Sequence, residues 1–404
     1  MTLSKADRLS AVRPSMILGL VQKARSLASE GHPVIDLGIG EPDFTTPDHI
    51  KQAAIKAINE DQTCYTVVPG TMELRKAIVH KLVRENRLAY SPDQISVSGG
   101  AKQVIFNAFM ATLSKGDEVL IPAPYWSSYP DMVAVADGIP VIVDCPQSQK
   151  FLISPEQLDA AITPRTKWLM LNSPSNPTGG VYTFDQLQAL ASVLRDHPHV
   201  MVLSDDIYEH LMFDGHKFVS ILDAAPDLID RVLIVNGVSK VFAMTGWRIG
   251  YGAGPTALIG AMNTVQGQST THACSISQAA SIAALDGPTD FFAERAGSFQ
   301  TRRDLVVETL GSLPGISVLS PEGAFYLYPE CSGLIGQRTP KGHMLETDID
   351  VCTWLLEEHH VSVVPGAAFG LSPHFRISTA ASEAQLKEAC TRIAAAVKTL
   401  EDVQ

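Results

Sequence analysis

Between about residues 94 and 252 the chain alternates two hydrophobic rhythms. Short, nearly continuous apolar runs at 94–98 (QISVS), 118–122 (EVLIP), 140–144 (PVIVD), 167–171 (KWLML), 200–204 (VMVLS), 232–236 (VLIVN) and 248–252 (RIGYG) read as buried strands. Between several of them, apolar residues recur at helical spacing, as in 101–113 (AKQVIFNAFMATL) and 184–196 (FDQLQALASVLRD). Strands that alternate with helices predict a largely parallel sheet covered on both faces.

The rhythm then changes. From Asp290 to about Leu313 helical spacing runs on without a strand and stops before Pro314, which predicts a long helix leaving the sheet. Beyond it, 315–330 and 361–370 read as short strands with turns, and 382–400 as a helix with Ser382 as its N-cap. At 404 residues the chain exceeds what one core usually serves. The expectation is an α/β fold: a large domain (49–290) with a mostly parallel seven-stranded sheet covered by helices. A smaller α+β domain is built from both termini (1–48 and 291–404).

Polar and conformationally special residues gather just after the strands. GGAK (99–102), APYW (123–126), NSPSNPTGG (172–180), DDIY (205–208) and GVSK (237–240) all fall there. They converge on one edge, the carboxyl ends, where open α/β sheets bind ligands.

Composition narrows the function by exclusion. With 31 Lys+Arg against 43 Asp+Glu the formal net charge is −12, which argues against a nucleic-acid or anionic-membrane surface, so an anion would have to be bound locally. Six scattered cysteines form no CxxC pair and no His/Cys cluster at metal spacing, so a reducing compartment is expected and a metal is not. The first sixteen residues lack a signal-peptide core, and no stretch approaches the roughly 18 apolar residues of a membrane span, so the cytoplasm is expected. P-loop, HExxH, GxSxG and GxGxxG signatures are absent.

Taken singly, each candidate has a bland reading. The glycines at 99–100 make a tight turn, 172–180 is an Asx/Pro turn, Asp205 caps a helix, and Lys240 snorkels to solvent. Together they suit one anionic aldehyde. A desolvated Lys240 is a Schiff-base nucleophile, Arg248 is a bidentate phosphate holder, and a buried Asp205 pairs with a protonated ring nitrogen.

The motifs SGGAK, PYW, NPTG, SDDIY, SK and TGWRIG come in the order and spacing of pyridoxal-phosphate-dependent aminotransferases of fold type I, which the chain resembles. The likeness is greatest to the bacterial aspartate aminotransferase branch. LGIGEPDFTTP (37–47), YTVVPGTMELRKAI (65–78) and HFRIS (374–378) extend it over nearly the whole chain. The resemblance implies that Lys240 is the Schiff-base lysine, Asp205 the acid beside the pyridine nitrogen, and Tyr208 with Asn176 the partners of the phenolic oxygen. It implies that Trp126 stacks on the ring, and that Arg248, Ser239 and the backbone of Gly100 and Ala101 hold the phosphate. Arg376 and the Gly40 backbone would take the substrate α-carboxylate. Tyr65 would reach the phosphate of a neighbouring subunit, which implies a homodimer with shared active sites.

Lys102 stands where aspartate-using members carry a lysine for the distal carboxylate; a phosphate contact or a solvated first turn is the other reading. Gly237 stands where many relatives have a phosphate-binding serine. VRPSM (12–16) is similar to the first segment of members that accept prephenate, with Ile17 in place of their threonine. The expected reaction is L-aspartate + 2-oxoglutarate to oxaloacetate + L-glutamate, in ping-pong. The alternatives are a transaminase for aromatic or neutral amino acids or prephenate, and a C–S β-lyase. A ligand-binding regulator of the same fold would need a DNA-binding segment, for which there is no basic stretch.

Overall fold

A computed structural model describes residues 5–12 and 16–400. The part of the prephenate-type motif at 13–15 lies outside the described residues. Seven strands form the large sheet: β1 (Ile95–Ser98), β2 (Glu118–Ala123), β3 (Ile139–Asp144), β4 (Thr166–Asn172), β5 (Met201–Asp205), β6 (Val232–Gly237) and β7 (Gly250–Ala253). Their spatial order is β1-β7-β6-β5-β4-β2-β3. The pairs from β6 through β3 are parallel, whereas β7 runs antiparallel to both β6 and β1. The sheet is thus mostly parallel, as the alternation of strands and helices predicts, with one reversed strand.

Period-two alternation assigns each strand residue to one of two cores. Leu169 and Leu171 of β4, Val202 of β5 and Ile234 of β6 join the larger core on one face. Their neighbours Trp168, Met170, Leu203, Leu233 and Val235 pack under Ala101–Thr112 and Thr256–Gly267 on the other. Both faces are dry, which is why these runs read as continuously apolar.

The helix Phe291–Gly311 links this body to a third core. Phe299 belongs to the large core, while Val306 and Leu310 belong to the small one, which also contains Ile35, Leu37, Trp354, Phe375 and Ile393. Residues from both ends of the chain therefore meet there. Arg295 near the start of this helix donates to Val241 O (2.6 Å) and Thr45 O (2.8 Å), and Arg302 pairs with Asp43 (2.7 Å). The small sheet is sparser than 315–330 and 361–370 imply. Among the described residues after 312, only Tyr326–Leu327, Val361–Ser362, Val364–Pro365 and Phe375–Ser378 are strands. Arg376 sits in the middle strand of a three-stranded antiparallel set, paired with Val364.

Candidate functional site

A cavity of about 560 Å³ opens at the carboxyl ends of β4–β6, where Tyr326 and Arg376 of the small sheet also line it. Lys240, Asp205, Tyr208, Asn176, Trp126, Lys102, Ala101, Ser239, Arg248, Arg376 and Gly40 all line it. A larger space of about 1500 Å³ lies on the outer side of Trp126 and Lys102.

Asp205 ends β5 and is 4% exposed. Its Oδ2 accepts from the Tyr129 hydroxyl at 2.7 Å, but Oδ1 is buried with no hydrogen-bond partner. Burial pushes its carboxyl up to about 6; the Tyr129 hydroxyl, the Ile207 backbone N–H and the Lys240 charge only partly offset this. A dry carboxylate oxygen without a partner, on a residue that lines a cavity, is costly unless a ligand supplies one.

Lys240 follows β6 in the loop 238–240 and donates to Gly40 O at 2.8 Å. Its ammonium lies 5.4 Å from the centre of the Tyr208 ring and 5.7 Å from that of Phe325. Burial, with the nearby Arg376 charge, brings its amine down to about 8. A substantial neutral fraction therefore exists near physiological pH, as a nucleophile requires.

Arg248 does not begin a strand. It caps the turn Thr245–Trp247 in the left-handed region (φ 56°), two residues before β7. Apolar periodicity reports burial and cannot see this turn. The turn lets Nη1 donate to Thr245 O (2.9 Å) and Nη2 to Gly99 O (3.2 Å). The guanidinium thus lies over the start of the helix Ala101–Thr112, whose N-cap Gly100 has φ 99°. A β-carbon on Gly100 would overlap this guanidinium, and one on Gly250 would overlap the backbone of Gly100 and Ala101. The two glycines bring an arginine fork onto a helix N-terminus, an arrangement suited to a phosphate.

Arg376 is 4% exposed. Its Nη1 donates to Asn176 Oδ1 (3.0 Å) and its Nη2 to Gly38 O (2.5 Å), while Nε is buried without a partner. The rings of Tyr326 and Phe369 cover it at 4.7 and 4.9 Å. Asn176 is steadied in turn by its own N–H to Asn172 Oδ1 (2.8 Å). Lys102 lies 4.8 Å over the Trp126 ring, and burial followed by the Arg248 charge lowers its pKa.

Tyr65 does not join this cavity. It is 90% exposed and meets His272 edge-on at 5.6 Å. Two cavity residues, Tyr129 and Tyr326, were not among the sequence candidates. Tyr129 lies three residues after Trp126 in the helix Ser128–Val135, a spacing that could have flagged it. Tyr326 carries no local signal: only the fold sets its hydroxyl 2.9 Å from that of Tyr208.

Among the described residues, Glu85, Glu209 and His210 bring potential metal-ligand atoms within 4.8 Å of one another, a convergence that the cysteine and histidine spacing did not foretell. Their charges are already answered: Lys81, 2% exposed, pairs with Glu209, and His210 Nε2 meets Glu85 at 2.9 Å. Asn86 and Asn236 complete the Glu209 carboxylate at 2.7 and 2.6 Å.

The residues present fit the cofactor implied by the resemblance. Asp205 Oδ1 has no donor among the described residues, the glycines and Arg248 make a cradle suited to an anion, and Lys240, buried and with a lowered pKa, lines the same cavity. Comparison with known proteins gives the same direction. The family model described as aminotransferase class I and II matches residues 32–393. The chain is 56% identical to an aspartate aminotransferase of Rhizobium meliloti (strain 1021), over 97% of this chain and 95% of that one. It is 54% identical to an aspartate/prephenate aminotransferase of Cereibacter sphaeroides, over 96% and 98%. The crystal structure of the Rhizobium meliloti aspartate aminotransferase superposes with a TM-score of 0.97 at 54% identity, covering 99% of this chain and all of that one.

Proposed function

Since the chain belongs to the class I and II aminotransferases, we propose that it moves the amino group of L-aspartate to 2-oxoglutarate, giving oxaloacetate and L-glutamate, in two ping-pong half-reactions. The observation that carries this reading is the unpartnered Asp205 Oδ1, set with Lys240 and the free Nε of Arg376 around one cavity. Pyridoxal 5'-phosphate, the cofactor of this family, supplies an aldehyde for the amine and an electron-poor ring that accepts the Cα electron pair.

The protein's own groups do the rest. Asp205 would keep a proton on the ring nitrogen, since a carboxylate in a dry site holds such a proton far more firmly than water does. Lys240 would hold the cofactor through its amine and, when that amine is free, would take the proton from the substrate Cα. Arg248, Ser239 and the N–H groups at Gly100 and Ala101 would hold the phosphate; Asn176 and Tyr208 would hold the phenolic oxygen, and Trp126 would cover the ring. Arg376 and the Gly40 backbone orient the α-carboxylate, and Lys102 reaches the distal one.

The domains are assigned as 49–290 and 1–48 with 291–404, and carboxylate binding to Arg376 draws the smaller over the larger and excludes water. A homodimer gives exposed Tyr65 its role, a hydroxyl offered to the neighbouring subunit's phosphate. Cytoplasmic residence accords with six free thiols and with the absence, among the described residues, of any helix long and apolar enough to cross a membrane.

Steady-state rates with a panel of amino donors test the proposal, and no turnover of aspartate defeats it. Borohydride reduction followed by peptide mapping tests the covalent site, since label on any amine other than Lys240 rejects the assignment. Prephenate is the second substrate to include, because the Cereibacter relative is named for both.

A further inference from the structure

Tyr208 and Tyr326 meet hydroxyl to hydroxyl at 2.9 Å, the first from the turn after β5, the second from the small sheet. They are 3% and 1% exposed, and their rings stand edge to face at 5.7 Å. A β-carbon at Gly40 would come within 2.6 Å of the Tyr326 oxygen, so a glycine there leaves that hydroxyl its room. Tyr326 is also the ring on which Arg376 lies, at 4.7 Å, and its backbone pairs with Ser378, two residues beyond Arg376.

Either phenol could donate, and each ring faces a cation: Tyr208 the Lys240 ammonium at 5.4 Å, Tyr326 the Arg376 guanidinium at 4.7 Å. The closer guanidinium withdraws more charge from its ring and makes the Tyr326 O–H the stronger donor. Tyr326 then donates to the Tyr208 oxygen, and the Tyr208 proton is left to point into the cavity. A hydroxyl that accepts one hydrogen bond donates the next one more strongly, by roughly 10–30% per bond.

We propose that Tyr326 is a positioning residue that aims and strengthens the Tyr208 O–H toward the phenolic oxygen of the cofactor, and that Arg376 links this bond to the carboxylate site. The inference rests on the cofactor reading given above. It also gives a physical reason for a tyrosine at a position where phenylalanine would pack equally well: the ring serves Arg376 and the hydroxyl serves Tyr208.

The test is a pH titration of the visible absorbance of the cofactor-loaded protein, a readout that lost packing alone would not move in a defined direction. Weakening the bond to the phenolic oxygen favours the protonated form, so Tyr326→Phe raises the midpoint by about 0.5 pH unit. Replacing Tyr326 by 3-fluorotyrosine, a stronger donor of nearly the same shape, moves the midpoint the other way. In a Tyr208→Phe background, Tyr326→Phe produces no further shift. An unchanged midpoint in Tyr326→Phe, or the same shift with and without the Tyr208 hydroxyl, overturns the inference while leaving the cofactor reading intact. Wild-type protein with no visible band overturns both.

Discussion

Arg376→Lys isolates the geometry of carboxylate recognition from its charge. Arginine offers five N–H donors in a fixed plane. Two are committed, to Asn176 Oδ1 at 3.0 Å and Gly38 O at 2.5 Å, and Nε is buried without a partner. The remaining donors can therefore meet a carboxylate side by side while the guanidinium stays anchored. Lysine keeps the positive charge but cannot hold two internal acceptors and two carboxylate oxygens in one plane. Hydrogen bonds to charged groups contribute about 1.5–3 kcal/mol each. Losing one of the two substrate bonds, with a partial loss at Asn176, removes about 3 kcal/mol. The expected effect is a fall of roughly 100-fold in kcat/KM. Because every amino acid carries the α-carboxylate, the loss falls equally on aspartate, glutamate and alanine, and the ratios among them hold. The assay is the amino-donor panel run on wild type and variant, with cofactor content checked by absorbance. A variant that keeps more than a third of its kcat/KM, or loses aspartate selectively, refutes the assignment of this residue to the α-carboxylate.

Lys102→Met acts in the complementary way: it lowers kcat/KM for aspartate at least tenfold, as expected for loss of one charged hydrogen bond, and leaves alanine nearly unchanged. Gly100→Ala puts a methyl into the Arg248 guanidinium at a φ of 99°, so it weakens cofactor retention by an order of magnitude or more, measured by equilibrium dialysis. Asp205→Asn makes the cofactor-free protein more stable at pH 7 but abolishes most activity. The wild-type carboxyl titrates near 6 when folded against 3.8 in the unfolded chain, so the folded state binds more protons across that window. Stability therefore declines as pH rises through it, by no more than about 3 kcal/mol. Thermal melts of the two cofactor-free proteins at pH 4 and pH 7 check this, and equal separations at both pH values contradict it.

The large sheet was legible because burial on both faces writes unbroken apolar runs; all seven strands lie within two residues of where those runs fall. Strand direction was not legible. β7 (GYGA) is richer in glycine than β6 (VLIVNG) or β1 (ISVS), but nothing in an apolar run states its direction, and the left-handed turn at Arg248 that precedes it is not encoded in hydrophobicity. The small sheet is held by two-residue pairs and isolated bridges, too short to leave a period. In the site, the residues with distinctive chemistry or dense turn motifs, Lys240, Asp205, Asn176 and Arg248, could be picked from the chain. Tyr129 had only its spacing from Trp126 to mark it, and Tyr326 had nothing, since an aromatic among aromatics declares a role only when the fold gives its hydroxyl a partner. Tyr65 stands apart for another reason: on the proposed homodimer, what it would touch is not part of its own chain.

The rod Phe291–Gly311 has a mechanical consequence. Its first turns are pinned by Arg295 to the carbonyl of Val241, the residue after the reactive lysine, and its last turns carry the core that supports Arg376. On the proposed closure, force between the two parts therefore runs through a stiff beam and not a slack tether, and the stretch between Phe299 and Val306, where the helix passes from one core to the other, is where it would flex. A glycine pair placed there would loosen the link.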